Sequence, residues 1–157
     1  MIEIVPYLPD LAPAFQRLNL DWIDRLFAVE AADRKVLADP GSAIIEPGGQ
    51  IFFALDGDAA VGTVAMIRVD EGIFELAKMA VVMSHQKRGI GELLGRAAID
   101  WARIEGARRV FLQTNSSLAN SIRLYERLGF RHAVNPEPPD YVRSDVYMEL
   151  PIESGGG

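Results

Sequence analysis

The stretch that decides the fold is Gln86-Lys87-Arg88-Gly89-Ile90-Gly91. A strand is predicted to end just before it, near Met83, and apolar residues at three- and four-residue spacing after it predict a helix that ends near Gly106. The first backbone N–H groups of a helix have no partner within the helix, and together with the helix dipole they attract anions. Glycine lets a phosphate approach the backbone where a Cβ would intrude. The stretch therefore predicts an anion site, to which Lys87 and Arg88 add positive charge.

Upstream of this loop, the sequence predicts a strand, two helices and an antiparallel meander of three strands. A stop signal, Asp39-Pro40-Gly41, ends the second helix, and turn residues separate the strands of the meander. The predicted strand is residues 2–6, the helices are 11–20 and 22–37, and the meander strands are 51–55, 60–69 and 73–83.

Downstream of the loop helix, a strand at residues 109–114 is followed by a helix that carries Tyr125 and ends at Gly129. Two closing strands are predicted at 130–134 and 141–150. A strand–helix–strand order implies a parallel crossover. We therefore expect an α/β (mixed α+β) fold with one domain, residues 1–152, in which a mixed, mostly antiparallel sheet of about six to seven strands carries helices on both faces. Residues 153–157 have linker composition and are predicted to be a flexible tail.

Composition narrows the function classes. A formal net charge of −6 and a pI near 4.9 argue against nucleic-acid binding through a basic face. The chain has no cysteine, which excludes thiolate metal sites and a cysteine nucleophile, and its two histidines are too few for a histidine-built metal site. No basic leader or long apolar run is present, so we expect a cytoplasmic protein without a membrane partner. A homodimer is compatible with the sequence.

A glycine loop after a strand has three competing interpretations. It can serve only as a tight strand-to-helix turn, and it can belong to a dinucleotide site or a P-loop. A dinucleotide site needs an acidic residue about twenty positions further on, whereas the next strand ends in Gln113-Thr114-Asn115. A P-loop needs Gly-Lys-Ser/Thr, which does not follow at the required spacing.

Two further segments give the loop its context. Residues 75–81, Glu-Leu-Ala-Lys-Met-Ala-Val, precede the loop, and residues 121–130, Ser-Ile-Arg-Leu-Tyr-Glu-Arg-Leu-Gly-Phe, follow it. With the loop, they resemble the fourth strand, the Q/R-x-x-G-x-G/A motif and the A-x-x-L-Y-x-x-x-G-F signature of the GNAT superfamily of coenzyme A-dependent N-acetyltransferases. Ser121 replaces the usual alanine, and Leu118 stands where many members have asparagine. The resemblance implies the GNAT fold, acetyl-CoA as acyl donor without a metal, and a primary amine as acceptor.

The resemblance also implies the catalytic roles. Glu75 occupies the position where several members of the superfamily place the general base. Tyr125 occupies the position of the acid that assists the leaving thiolate. Judged from the residues alone, Glu75 could also be an ordinary solvated carboxylate on a strand, and Tyr125 could be an aromatic residue of the core. Regular alternation would place Glu75, Ala77, Met79 and Val81 on one face of their strand and turn Lys78 away to form an ion pair. With no cysteine and no serine triad, we expect direct attack of the amine in a ternary complex.

The remaining predicted site residues follow from the same resemblance. The acceptor side is expected in the first helices and the late loops, although its carboxylates could instead form solvated helix faces. The alternatives to an active enzyme are an acyl-CoA-binding sensor without turnover and an interaction module of the same fold. The predicted acceptor residues are Trp22, Glu30, Asp33 and Tyr141. The predicted coenzyme A-binding residues are Met79, Ala80, Val81, Gln86, Lys87, Arg88, Gly89, Ile90, Gly91, Glu92, Asn115, Asn120 and Tyr125.

Overall fold

In the part of the chain that the structure describes, seven strands, numbered along the chain, form one sheet in the order β1-β2-β3-β4-β5-β7-β6. The computed structural model describes residues 1–139 and 141–152. Only β4 and β5 pair in parallel, and every other neighbouring pair of strands in these residues is antiparallel. This confirms the predicted mixed, mostly antiparallel sheet. The strands are β1 (Ile2–Pro6), β2 (Gln50–Asp56), β3 (Ala59–Asp70), β4 (Ile73–Val81), β5 (Arg109–Thr114), β6 (Arg131–His132) and β7 (Val146–Pro151).

Helices cover both faces of the sheet, as predicted. One apolar cluster packs α3 and α4 against one face through residues such as Leu94 and Leu124, and another packs α1 and α2 against the opposite face through Phe15 and Leu37. No helix in the described ranges is long and apolar enough to cross a membrane. The helices are α1 (Ala12–Leu26), α2 (Ala31–Ala38), α3 (Ile90–Ile104) and α4 (Ala119–Arg127), with single turns at Pro9–Leu11, Gly41–Ile45 and Met83–His85.

Four predicted boundaries are wrong: the end of the first helix, the start of the second helix, the end of β6 and the start of β7. Helix α1 continues through the predicted break at residue 21 because its buried face, which includes Leu18 and Ile23, continues across that position. The chain leaves the helix at Phe27, where the backbone is extended. Glu30 and Asp33 then form a reciprocal capping box that starts α2. At the other end of the chain, β6 has two residues and β7 begins only at Val146.

A β-bulge interrupts β4 at Lys78. Thr63 pairs with Ala80, and Ala65 pairs with Ala77, so Lys78 and Met79 together lie opposite a single residue of β3. Lys78 has a φ of 55°, which lies in the left-handed region that residues with a Cβ rarely adopt. A bulge of this kind re-aims the side chains that follow it.

The bulge corrects the predicted face of β4. Glu75 pairs with Ile67, which packs in the α1/α2 cluster. Directly paired antiparallel residues share a face, so Glu75 points to the α1/α2 side of the sheet. Met79 and Val81 instead pack against the α3/α4 cluster. The expectation of one continuous face is therefore wrong, because regular alternation holds only up to the bulge.

The two parallel strands separate after a short contact. β4 pairs with β5 only from Ile73 to Glu75, against Arg109 to Phe111. β4 then continues to Val81 and β5 to Thr114 without further pairing between them in the described part of the chain. The splay opens the edge of β4 at Met79, Ala80 and Val81, three of the predicted coenzyme A-binding residues.

Candidate active site

A cavity of about 800 Å³ lies where β4 and β5 diverge. Its walls are the edge of β4, the loop and first turn of α3, helix α4, the carboxyl end of α1 and the segment before β7. Most of the predicted site residues line this one cavity: Trp22, Glu75, Met79, Ala80, Val81, Gln86, Lys87, Gly89, Ile90, Gly91, Glu92, Asn115, Asn120, Tyr125 and Tyr141. Arg88, Glu30 and Asp33 are not among its lining residues.

The loop before α3 has the backbone of an anion site. Lys87 has φ 64° and Gly89 has φ 78°, with Arg88 between them outside the left-handed region. Such alternation turns successive N–H groups toward one concave side. A Cβ on Gly89 would meet no heavy atom within 4 Å, so glycine is required here for the backbone conformation and not for space. Gln86 Nε2 donates to the Val81 carbonyl at 3.0 Å and ties the loop to β4.

Gly91 has a different purpose. A Cβ there would lie 2.9 Å from Leu124 Cδ2 and 3.6 Å from Met79 Sδ. The missing side chain therefore lets the first turn of α3 pack closely on α4 and β4. This close packing brings Tyr125, the neighbour of Leu124, into the cavity beside the loop.

Basic side chains surround the loop end of the cavity, although the whole chain is acidic. Lys87, predicted from the sequence, lines it together with Arg123 and Arg127, which were not predicted. Arg127 Nε donates to Glu92 Oε1 at 3.4 Å. The signal available in the sequence was the four-residue spacing of the two arginines, which places them on one side of α4.

Glu75 lies on the cavity wall at the point where β4 and β5 part. Gln113 Nε2 donates to Glu75 Oε2 at 3.3 Å, and Gln113 Oε1 accepts from Asn135 Nδ2 at 3.3 Å. Burial lowers the pKa of Lys78, and the negative charge of Glu75 is one of the influences that oppose this shift, so the positive charge of Lys78 also acts on this carboxylate. The structure thus gives Glu75 a polar surrounding inside an otherwise largely apolar strand.

Tyr125 lies on α4 with its ring edge-on to Phe130, 6.3 Å between ring centroids. Burial raises the pKa of Tyr125 to about 12. The phenol is therefore protonated throughout the neutral range and available as a donor.

The two predicted amides are both engaged by the protein. Asn115 Nδ2 donates to the Arg143 carbonyl at 2.6 Å, and Asn115 Oδ1 accepts from the Ser117 backbone N–H at 2.9 Å. The Asn120 amide oxygen accepts from Arg123. Leu118, at the position of the family's asparagine, precedes α4 and provides no side-chain cap. Neither amide thus points freely at a ligand.

Two of the four predicted acceptor residues, Glu30 and Asp33, belong to an ion cluster in which Glu30 stays partly exposed. Asp33 is fully buried and accepts from Lys78 Nζ at 2.7 Å and from Arg143 Nη2 at 2.6 Å. Glu30 Oε1 accepts from the Val142 backbone N–H at 3.0 Å. Burial acts to raise the pKa of Asp33, but the hydrogen bonds from Arg143 and Lys78 outweigh it and hold that pKa well below its usual range.

Lys78 and Arg143 are functional candidates that the motif analysis did not assign to the site. The ion pair predicted for Lys78 is confirmed, but the side chain also lines the cavity. Arg143 lines it from the segment before β7. Its partner Asp33 is 110 residues away in sequence, so no local spacing could reveal the pair.

Comparison with known families gives one match that covers most of the chain. Residues 13–130 match the family model described as "Acetyltransferase (GNAT) family". An uncharacterized N-acetyltransferase, YvbK of Bacillus subtilis, is 31% identical over 105 residues, which are 65% of this chain and 68% of that protein. N-acetylaspartate synthetase of Rattus norvegicus is 30% identical over 106 residues, which are 66% of this chain and only 36% of the synthetase.

Solved structures show the same fold. A GNAT-family acetyltransferase of Staphylococcus aureus superimposes with a TM-score of 0.87 at 20% identity, over 96% of this chain and 99% of the other. A second structure is that of yncA of Salmonella typhimurium, described as a putative acetyltransferase with its cofactor acetyl-CoA. It superimposes with a TM-score of 0.76 at 22% identity, over 96% of this chain and 94% of the other. This chain therefore shares its overall fold with these two proteins.

Proposed function

Because this chain belongs to the acetyltransferase (GNAT) family, we propose that it transfers an acetyl group from acetyl-CoA to a primary amine by direct attack in a ternary complex. The observation that carries the proposal is the single cavity that joins the anion loop, the open edge of β4, Glu75 and Tyr125. The acceptor amine reaches this cavity from the side of α1 and residues 141–144.

The donor side fits acetyl-CoA. The backbone around Lys87 and Gly89 offers N–H groups to a pyrophosphate, and Lys87 adds charge. Between Leu76 and Val81 the edge of β4 can accept a pantetheine arm by strand addition, since β5 has already diverged. A neighbour with the same fold is described with acetyl-CoA bound. Acetyl-CoA supplies the acyl carbon that the amine attacks and the thiolate that leaves.

Glu75 is the proposed base. An alkyl ammonium with a pKa near ~10.4 has no free lone pair at neutral pH, so it must lose a proton before it can attack. Glu75 lies on the cavity wall beside the splay, and Gln113 holds one of its oxygens. The carboxylate takes the proton directly or through one water molecule.

Tyr125 is the proposed donor to the leaving sulfur. Its pKa of about 12 is well above the ~8.5 of an ordinary thiol, so full transfer of the phenolic proton to a thiolate is uphill. Tyr125 therefore stabilises the departing thiolate by donating a hydrogen bond, and the thiolate gains its proton from solvent afterwards. This limits the role proposed for Tyr125 to electrostatic assistance.

One protein sample tests the function in two steps. Acetyl-CoA should raise the melting temperature and bind in calorimetry, because it binds the folded state alone. A panel of primary amines, with release of the coenzyme A thiol as the readout, should then include at least one that is turned over. Failure of acetyl-CoA to bind contradicts the proposal. Binding without turnover across the panel would instead make the chain an acyl-CoA-binding module, the second function that this donor site allows.

A further inference from the structure

A buried ion cluster lies directly behind the acceptor side of the cavity. Asp33 is its centre: besides Lys78, both terminal nitrogens of Arg143 donate to its two oxygens, at 2.8 and 2.6 Å. The Glu30 backbone N–H donates to the same carboxylate at 2.9 Å. Asp33 therefore joins three parts of the chain: the bulge of β4, the start of α2 and the segment before β7.

The bulge is what directs Lys78 into this cluster. Its φ of 55° is unfavourable for a residue with a Cβ, and the pairing of β4 with β3 on either side of Lys78 holds the bulge in place. The Lys78 side chain is only 5% exposed, and its Nζ is held by Asp33 at 2.7 Å. The same bulge turns Met79 and the following edge of β4 toward the opposite side of the sheet. One backbone feature thus shapes both the donor edge and the cluster.

The cluster also holds the wall of the cavity that faces β4. Lys78 Nζ donates to the Tyr141 hydroxyl at 2.9 Å, and the Arg143 guanidinium lies 4.4 Å from the centroid of the Tyr141 ring. Between them, the Val142 backbone N–H donates to Glu30 at 3.0 Å. Tyr141 and Arg143 both line the cavity. Their position relative to β4 is therefore set by contacts to Lys78, Asp33 and Glu30.

We propose that Lys78 is a positioning residue for the acceptor amine. Through Asp33 and the Tyr141 hydroxyl it holds the 141–143 wall at a fixed distance from the edge of β4, and so aligns the amine with the acyl donor. The inference rests on the proposed function. A positioning role for Lys78 can be distinguished from that of a purely structural ion pair. Loss of a positioning Lys78 should weaken use of the amine, whereas binding of acetyl-CoA is retained because it depends on the loop and the β4 backbone.

Steady-state kinetics of Lys78→Met separates the two roles. The matched control is Lys35→Met, which removes an exposed lysine from α2. With an amine found in the panel, Lys78→Met should raise the KM for the amine about tenfold or more and leave the KM for acetyl-CoA within about twofold. The control should change neither constant. Equal changes in both constants, or no change, would overturn the positioning role.

A second readout does not depend on turnover. Hydrogen exchange at the Val142 amide reports whether the wall stays on Glu30. We expect exchange in Lys78→Met to be at least about tenfold faster than in the wild-type chain, and unchanged in Lys35→Met. If Lys78→Met does not fold, Tyr141→Phe removes the hydroxyl that accepts from Lys78 and should accelerate the same amide. An unchanged Val142 amide overturns the positioning role, whereas absence of turnover in the wild-type chain overturns the proposed function, so the two failures are distinguishable.

Discussion

At the scale of single residues, two side chains carry the proposed chemistry. Glu75 and Tyr125 come from different elements, β4 and α4, and line the same cavity. The family spacing made both residues candidates from the sequence, and their roles stay predictions. Their surroundings were not predictable, because Gln113 reaches Glu75 across 38 residues and the pKa of Tyr125 depends on burial by the assembled core.

Tyr125→Phe should lower kcat by about 10- to 100-fold, because the leaving thiolate loses one hydrogen-bond donor. Affinity for acetyl-CoA should change by less than about twofold, since the ring is retained. The measurement is kcat at saturating substrates together with calorimetric binding. Tyr7→Phe, which removes a hydroxyl elsewhere in the fold, is the control, and an unaltered kcat in Tyr125→Phe would remove Tyr125 from the mechanism.

Glu75→Gln should lower kcat/KM for the amine by about 100-fold or more, because an amide cannot take the ammonium proton. The rising limb of the pH–rate profile that reports the base should flatten as well. Glu3→Gln, an exposed strand glutamate on β1, is the matched control. If Glu75→Gln keeps the wild-type profile, the base is an ordered water or another residue.

At the scale of elements, a strand or loop can be predicted where the sequence carries a local signal, whereas the bulge in β4 cannot. Strands at residues 2–6 and 109–114 are found within the predicted limits, since short apolar runs bounded by turn residues are a local signal. The bulge at Lys78 carries no such signal, because its positive φ falls on a lysine and the partner of that side chain, Asp33, lies in another element. The sequence prediction divided helix α1 wrongly at residue 21. The end of this helix depends on the spacing of its buried residues, which continues past that position, and not on a local stop signal.

Gly89→Ala should reduce the free energy of unfolding by about 1 kcal/mol, since a Cβ at φ 78° is strained although it meets no neighbour. It should also weaken binding of coenzyme A, because relaxation of the loop turns N–H groups away from the pyrophosphate. Gly57→Ala is the control, with φ 62° and equally open surroundings in the β2–β3 turn. Equal binding losses in the two variants, or none in Gly89→Ala, would contradict this function of the loop.

At the scale of the whole molecule, Asp33 links acid stability to the site. Its pKa is lower in the folded than in the unfolded chain, so it stabilises the fold above the unfolded value near ~3.9 and this contribution is lost as the pH falls below it. Asp33→Asn should reduce the free energy of unfolding at pH 7 by about 3 kcal/mol, because Lys78 and Arg143 lose their buried anion.

Denaturant unfolding between about pH 2 and pH 7 checks this prediction. The wild-type chain should lose stability more steeply than Asp33→Asn below about pH 5, so the difference between them narrows as the pH falls. Asp58→Asn, in an exposed turn, should run parallel to the wild type. A constant difference across the range would show that Asp33 stabilises the fold without its charge.

The cluster around Asp33 also bears on how such a protein can be re-engineered. The proposed donor wall of the cavity comes from one stretch of the chain between Glu75 and Arg127, whereas the proposed acceptor wall comes from segments near both ends of the chain. A new acceptor specificity could thus be grafted by exchanging residues 20–35 and 135–145 around an unchanged donor stretch. The exchange is limited at one position: Lys78 belongs to the donor strand but binds both acceptor segments, so a graft lacking a counterpart of Asp33 would leave a buried lysine unmatched.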